Sequence, residues 1–142
     1  MFVDGRKQGQ GTWKKSSTDE KTNIYEGEYH DDMKHGYGEF RWATGGHYRG
    51  EYVNDVKVGF GTMTWVDGSV FKGAWENGIQ NGLGLMIFAN GSKKAGFFID
   101  NVLTELLTDS KMITNFESKL FFPQEFKQEL LLYIAAHSPK ED

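Results

Sequence analysis

Several residue patterns in this chain could carry chemistry. The pairs Gly36-Tyr-Gly38, Gly59-Phe-Gly61 and Gly82-Leu-Gly84 invite a nucleotide reading. Each pair lacks the third glycine of a phosphate-binding fingerprint and leads into a predicted strand, where such a loop should open a helix. The histidines His30, His35, His47 and His137 show no metal-ligand spacing. His30 and His35 flank a predicted turn and read as solvated loop residues. Asp31-Asp32 lacks the oxygen-ligand series of a calcium loop. Glu28 and Glu51 lie 23 residues apart, so repetition explains them better than acid–base work. No nucleophile, base and orienting group converge. The expectation is a non-enzymatic protein with no cofactor and no metal.

Composition narrows the class further. The 142 residues include no cysteine, which removes disulfides, zinc–thiolate sites and a thiol nucleophile. A formal charge of −4 argues against nucleic-acid binding, which rests on a basic face. No apolar run approaches the roughly 20 residues that span a bilayer. The N-terminus has neither a signal-peptide layout nor the Met-Gly start of a myristoylated chain. The expectation is a soluble, cytoplasmic protein.

The element that must position any site is a repeat. Tyr25, Tyr48 and Phe71 lie 23 residues apart, and Gly36, Gly59 and Gly82 keep the same step. A fixed period of this size marks an array of stacked supersecondary units. Within each unit, Tyr25-Glu-Gly27-Glu28-Tyr29 alternates as a strand, with Tyr25, Gly27 and Tyr29 on one face. Asp31-Asp32, Asn54-Asp55 and Asn77-Gly78 supply hairpin turns. The second strand places Gly36, Gly38, Phe40 and Trp42 on the aromatic face, against Tyr37, Glu39 and Arg41 on the other. A second tight turn falls at Thr44-Gly-Gly46, Asp67-Gly68 or Asn90-Gly91. Both glycines of each pair are expected to make room for a ring from a neighbouring strand. The rings Tyr25, Tyr29, Phe40, Trp42, Tyr48, Tyr52, Trp65, Phe71, Trp75 and Phe88 then form a structural aromatic spine.

The predicted fold is all-β: a single-layer array of β-hairpin repeats with a C-terminal α-helical segment. Residues 1–101 form the array. It comprises a partial repeat at 1–24, full repeats at 25–47, 48–70 and 71–93, and a partial capping repeat at 94–101. The chain opens inside a repeat, with Phe2 at the position of Tyr29, which implies a shortened chain or a first unit capped by something else. The polar stretch Lys14–Asn23 reads as a long loop. All 18 glycines lie at or before Gly96, so the boundary is placed near Asn101, and residues 102–142 read as a helical cap. There, Leu103, Leu106 and Leu107 hint at a helical turn, and Phe121–His137 reads as a helix with Pro123 in its first turn and Ser138-Pro139 as its stop.

The second face changes along the array. Ala74, Leu83, Leu85 and Ile87 make it apolar in the third full repeat. Phe126, Leu130 and Ile134, on one stripe of the helix, are expected to cover Leu83, Leu85 and Ile87. Tyr37, Phe60 and Leu83 form a ridge on this face between the glycine pairs. Exposed apolar ridges rimmed by charge mark interaction sites, so Tyr37 and Phe60, with Glu28, Glu51 and Arg41, are the candidate partner-binding residues.

Over about residues 2–98, the pattern Tyr-x-Gly-Glu followed by Gly-x-Gly at a 23-residue period resembles the MORN repeat (membrane occupation and recognition nexus). The family's glutamate is present as Glu28 and Glu51, becomes Ala74 in the third full copy and Phe97 in the last partial one. The resemblance implies an interaction scaffold in a cytoskeletal or ciliary assembly, such as an axonemal radial spoke, with a protein partner. That partner would be an extended or helical segment on the ridged face, or a strand added to the array edge. The resemblance also allows a tether to membrane lipid (phosphoinositide), which an acidic chain without a Lys/Arg cluster disfavours. It further allows a targeting module of a larger protein, since similar repeats precede kinase and methyltransferase domains. Partner identity and oligomeric state are left open.

Overall fold

The computed structural model describes residues 2–3, 6–7, 9–16, 22–117 and 121–137. A short pair, β1 (Phe2–Val3) and β2 (Arg6–Lys7), precedes nine antiparallel strands in one sheet. These are β3 (Gly9–Ser16), β4 (Thr22–His30), β5 (Met33–Arg41), β6 (His47–Val53), β7 (Val56–Thr64), β8 (Val70–Glu76), β9 (Ile79–Ile87), β10 (Lys93–Ile99) and β11 (Val102–Leu106). Each strand pairs with its sequence neighbours, so the sheet is an unbroken meander. Two helices follow, α1 (Ser110–Glu117) and α2 (Gln124–His137). The ring position expected of Phe2 and the stop at Ser138-Pro139 lie outside the described residues.

The turns follow from residue type. Asp31-Asp32, Asn54-Asp55, Asn77-Gly78 and Asp100-Asn101 all have positive φ at both residues. That is the backbone of the two-residue hairpin turn whose twist matches the strands. The turns also tie repeats together. Asp55 donates its N–H to the Lys34 carbonyl at 2.8 Å, and its Oδ1 accepts from the Lys34 N–H at 2.7 Å. Asn101 holds Gln80 in the same two-bond manner, at 3.0 and 2.8 Å.

One glycine per strand lines up across the sheet. The register pairs Gly11 with Gly27, Gly27 with Gly38, Gly38 with Gly50, Gly50 with Gly61, Gly61 with Gly73, Gly73 with Gly84 and Gly84 with Gly96. Rings fill the trough this row leaves. A Cβ on Gly38 would collide with the Tyr25 ring, on Gly61 with Tyr48, and on Gly84 with Phe71. The rings meet one another edge to face: Tyr25–Tyr52 at 5.7 Å, Tyr48–Tyr52 at 5.2 Å, Tyr48–Trp75 at 5.4 Å, Phe71–Trp75 at 5.5 Å and Phe71–Phe98 at 4.9 Å. Aromatic pairs favour this geometry. The Tyr25 and Tyr48 hydroxyls donate to the Glu28 and Glu51 carbonyls at 2.9 and 3.0 Å, so no polar cost offsets their burial. Lys57 Nζ lies 5.5–5.6 Å from the Trp42, Tyr48 and Trp75 centroids, and Lys34 Nζ sits among Tyr25, Phe40 and Tyr52, where a cation is attracted to the ring faces.

Tyr25, Tyr29, Tyr48, Tyr52, Phe71 and Trp75 are buried in this cluster; Phe40, Trp42 and Trp65 pack on it half-buried. Phe88 is 39 % exposed. It is the equivalent of Trp42 and Trp65 in the third full repeat, and unlike them it does not join the cluster. Phe98 and Leu103 extend the spine at its far end.

Three expectations are corrected. Gly36, Gly59 and Gly82 do not share the spine face. Between Gly27 and Tyr29 the register jumps from Gly38 to Lys34, so β5 carries a bulge opposite Glu28, with Gly36 at φ 85°. Gly59 and Gly82 occupy the same bulge at φ 63° and 114°. These glycines serve a left-handed backbone and not a ring of the spine. Second, part of Lys14–Asn23 is strand: Lys14 pairs with Ile24, Lys15 with Asn23 and Ser16 with Thr22. Ladder hydrogen bonds use backbone groups that every one of these residues carries, so a polar stretch can pair; residues 17–21 lie outside the described residues. Third, Val102–Leu106 is a ninth strand and no helical turn, so the sheet runs past residue 101. A bulge at Thr104 puts Leu103 and Leu106, three residues apart, on one face, which imitates helical spacing.

Two predictions follow from the glycine row and its rings. Gly61→Val should cost about 3 kcal/mol or more, because the buried Tyr48 ring occupies the space. Thr62→Val, on the opposite face, should stay within about 0.5 kcal/mol; equal melting temperatures for the two variants would contradict the assignment. Burial raises the hydroxyls of Tyr25, Tyr48 and Tyr52 well above their usual value and pushes Tyr29 up to about 12. Raised folded values favour the protonated fold, so stability is full below about pH 10 and falls as pH rises toward 12 and beyond. Thermal melts from pH 9 to 12 should show a falling midpoint, with tyrosinate absorbance appearing together with unfolding.

Candidate docking face

The face opposite the spine divides into a covered and an uncovered part. Over β8–β10, Ala74, Leu83, Leu85 and Ala95 are buried with Leu107, Ile113, Phe122, Phe126, Leu130 and Tyr133. Ile87 and Ile134 pack partly buried against the same cluster. Asp109 caps α1 by accepting from the Lys111 and Met112 N–H groups at 2.9 and 3.3 Å. Pro123 lies just before α2, its carbonyl accepting from Lys127 N at 3.2 Å. His137 is exposed and stacks on Tyr133 at 4.0 Å.

The ridge residues meet three different fates. Leu83 is 0 % exposed, Phe60 is half-buried, and Tyr37 is 55 % exposed. Phe60 lies under the edge of the cap, 4.9 Å from Phe126 and 6.0 Å from Phe122 by ring centroids. Tyr37 stands beyond the cap, and partial burial raises its hydroxyl above the usual value. On this face Arg41 lies four residues along β5 from Tyr37, and Arg49 stands diagonally across from it, opposite Glu39. Both reach Glu39, at 3.1 and 3.5 Å, so one carboxylate serves two guanidiniums whose side chains are more than half exposed.

Glu28 and Glu51 turn inward to the bulges. Glu28 Oε2 accepts from the Tyr37 N–H at 2.6 Å and fills the space beside Gly36; the Glu51 carboxylate lies beside Gly59 in the same way. In the third repeat, where the glutamate is Ala74, the Phe116 ring takes that place: a Cβ on Gly82 would come 2.5 Å from Phe116 Cζ and 3.0 Å from the Ala74 Cβ. The helical segment thus inserts a ring where earlier repeats keep a carboxylate.

Between the cap and the uncovered strands runs a groove of about 300 Å³, lined by His47, Arg49, Phe60, Thr62 and Lys72 from the sheet and Pro123, Glu125, Phe126 and Glu129 from the segment of α2. Lys72 Nζ donates to both Glu129 oxygens at 2.9 Å. Arg49, Lys72 and His47 were not among the partner-binding candidates read from sequence. The available signal was the recurrence of a cation 23 residues apart, at Arg49 and Lys72. Among the described residues, no group of three or more His, Asp or Glu could hold a metal, and no helix is long and apolar enough to cross a membrane.

Comparison with protein families matches the MORN repeat at residues 1–19, 25–47, 48–70 and 71–93. The last three spans coincide with the hairpins β4–β5, β6–β7 and β8–β9 together with the turns that follow them. The chain belongs to the MORN-repeat family, whose repeats are non-enzymatic modules for protein and membrane interaction. A search of curated proteins finds no match.

The covered half of the face yields a prediction. Phe126→Ala should destabilise the fold by about 3–5 kcal/mol, since the ring is 2 % exposed within the cap cluster. Leu132→Ala, at a position 70 % exposed on the same helix, should change stability by less than about 0.5 kcal/mol. Matching denaturation midpoints for the two would show that α2 does not cap the sheet in solution.

Proposed function

We infer that this chain is a docking scaffold that holds a protein partner on the uncovered second face, centred on Tyr37, Arg41 and Arg49 and bounded by the Phe60 groove. The single observation that carries this reading is the exposure of Tyr37 at a position whose equivalent, Leu83, is fully covered by the chain's own helices. The array presents the same kind of ridge three times and covers it fully once. An exposed tyrosine with arginines on the same face is the composition found at interface centres. An added strand at β11 is the less favoured mode, because the Thr104 bulge blunts that edge. The role we infer is scaffolding within a larger assembly, and the family resemblance points to cytoskeletal or ciliary assemblies.

A photo-crosslinking amino acid at Tyr37 tests the reading, with the same group at Val66, 75 % exposed on the far turn, as control. In native extract, the Tyr37 probe should give a discrete crosslinked protein that excess unlabelled chain competes away and the control does not capture. Equal capture at both positions, or recovery of lipid alone, would refute a protein site at Tyr37.

A further inference from the structure

The cap shows which chemistry the second face accepts. Helix α2 sets Phe126 on Phe60 and, one turn along, Glu129 on Lys72. Residues three apart share a helix face, so one turn delivers an aromatic ring and a carboxylate together. Subtracting one 23-residue period from the two receiving positions gives Tyr37 and Arg49. The same receptor pair, an aromatic residue beside a cation, therefore recurs one repeat earlier, where no described segment of the chain covers it.

Charge supports the same occupant. Lys72 has a carboxylate of its own in Glu129, whereas Arg49 shares Glu39 with Arg41. Two carboxylates near Tyr37, those of Glu28 and Glu51, are drawn to the bulges at Gly36 and Gly59, while Glu26 lies opposite Glu39 across β4 and β5. A guanidinium binds a carboxylate through two parallel N–H donors, and an exposed tyrosine offers a face to a ring.

We propose that Tyr37 and Arg49 form a second receptor of the kind that binds α2, and that its occupant is an acidic segment of a partner protein presenting an aromatic side chain and a carboxylate about one helical turn apart. This rests on the docking face inferred above and names the chemistry of what docks there. The groove between Arg49 and the start of α2 continues the site toward Phe60 and Thr62.

The probe is the acetylated, amidated peptide of residues 123–130, which carries the Phe126–Glu129 turn, titrated into the isotope-labelled full chain and followed by backbone amide shifts. Saturable shifts should appear at Tyr37 and Arg49. Arg49→Glu should weaken binding by roughly tenfold or more, and a peptide bearing Glu129→Lys should recover it on the Arg49→Glu chain, a rescue that a general loss of fold cannot give. Absence of saturable shifts at Tyr37 and Arg49 would overturn the proposal. So would shifts confined to Phe60 and Lys72, where the peptide merely competes with α2. The proposal also fails if vesicles containing phosphatidylinositol 4,5-bisphosphate move these amides while the peptide does not. Protein crosslinking at Tyr37 that persists when the peptide fails would leave the docking face standing and reject only its assigned chemistry.

Discussion

The structure depends on close approach at one line of the sheet. From β3 to β10, each strand contributes a glycine to a row that runs unbroken from Gly11 to Gly96. Without side chains along that line, a ring can lie directly on the backbone, and Tyr25, Tyr48 and Phe71 do so at each repeat. A glycine in a strand loses packing and adds entropy cost. The rings recover that loss by burying large flat surfaces and touching their neighbours edge to face. A single layer obtains a core in this way, because one face of the sheet is covered by side chains rising from the sheet itself.

The same repeat solves its second face differently. The bulge opposite Glu28 and Glu51 exposes backbone groups on the far side, and the glutamate carboxylate fills the space beside Gly36 or Gly59. Where the glutamate is lost at Ala74, Phe116 arrives from α1 and occupies the equivalent space at Gly82. A polar filler suits an open face and an apolar filler suits a covered one. The change from Glu to Ala in the third repeat is therefore part of how the cap docks, coupled to Leu83, Leu85 and Ala95 turning fully buried.

The scaffolding role we propose rests on that asymmetry. The repeats are alike in backbone, yet the helices cover only the C-terminal part of the array. What remains is a face with the same periodic positions and a different covering. Tyr37 and Arg49 stand where Phe60 and Lys72 stand, without α2 above them. The chain displays a covered and an uncovered version of one surface side by side.

Much of the fold was legible in the sequence because it is local and periodic. The 23-residue step located the hairpins, Asp/Asn/Gly pairs located the turns, and alternation assigned Tyr25, Tyr29 and Gly38 to one face. The covering of Leu83 and Leu85 by Phe126 and Leu130 was legible because a stripe and a complementary face lay near each other in the chain. What the residues alone misstated was wherever an inserted residue breaks alternation. The bulges at Gly36, Gly59 and Gly82, and at Thr104, shift the phase of a strand, and phase is invisible until pairing sets it. The division of Tyr37, Phe60 and Leu83 into exposed, half-covered and buried, and the place of Phe116 beside Gly82, were decided by tertiary structure alone. Both depend on how far two helices reach across a sheet, a distance set by packing between segments remote in sequence, whereas composition and period describe only what each repeat does for itself.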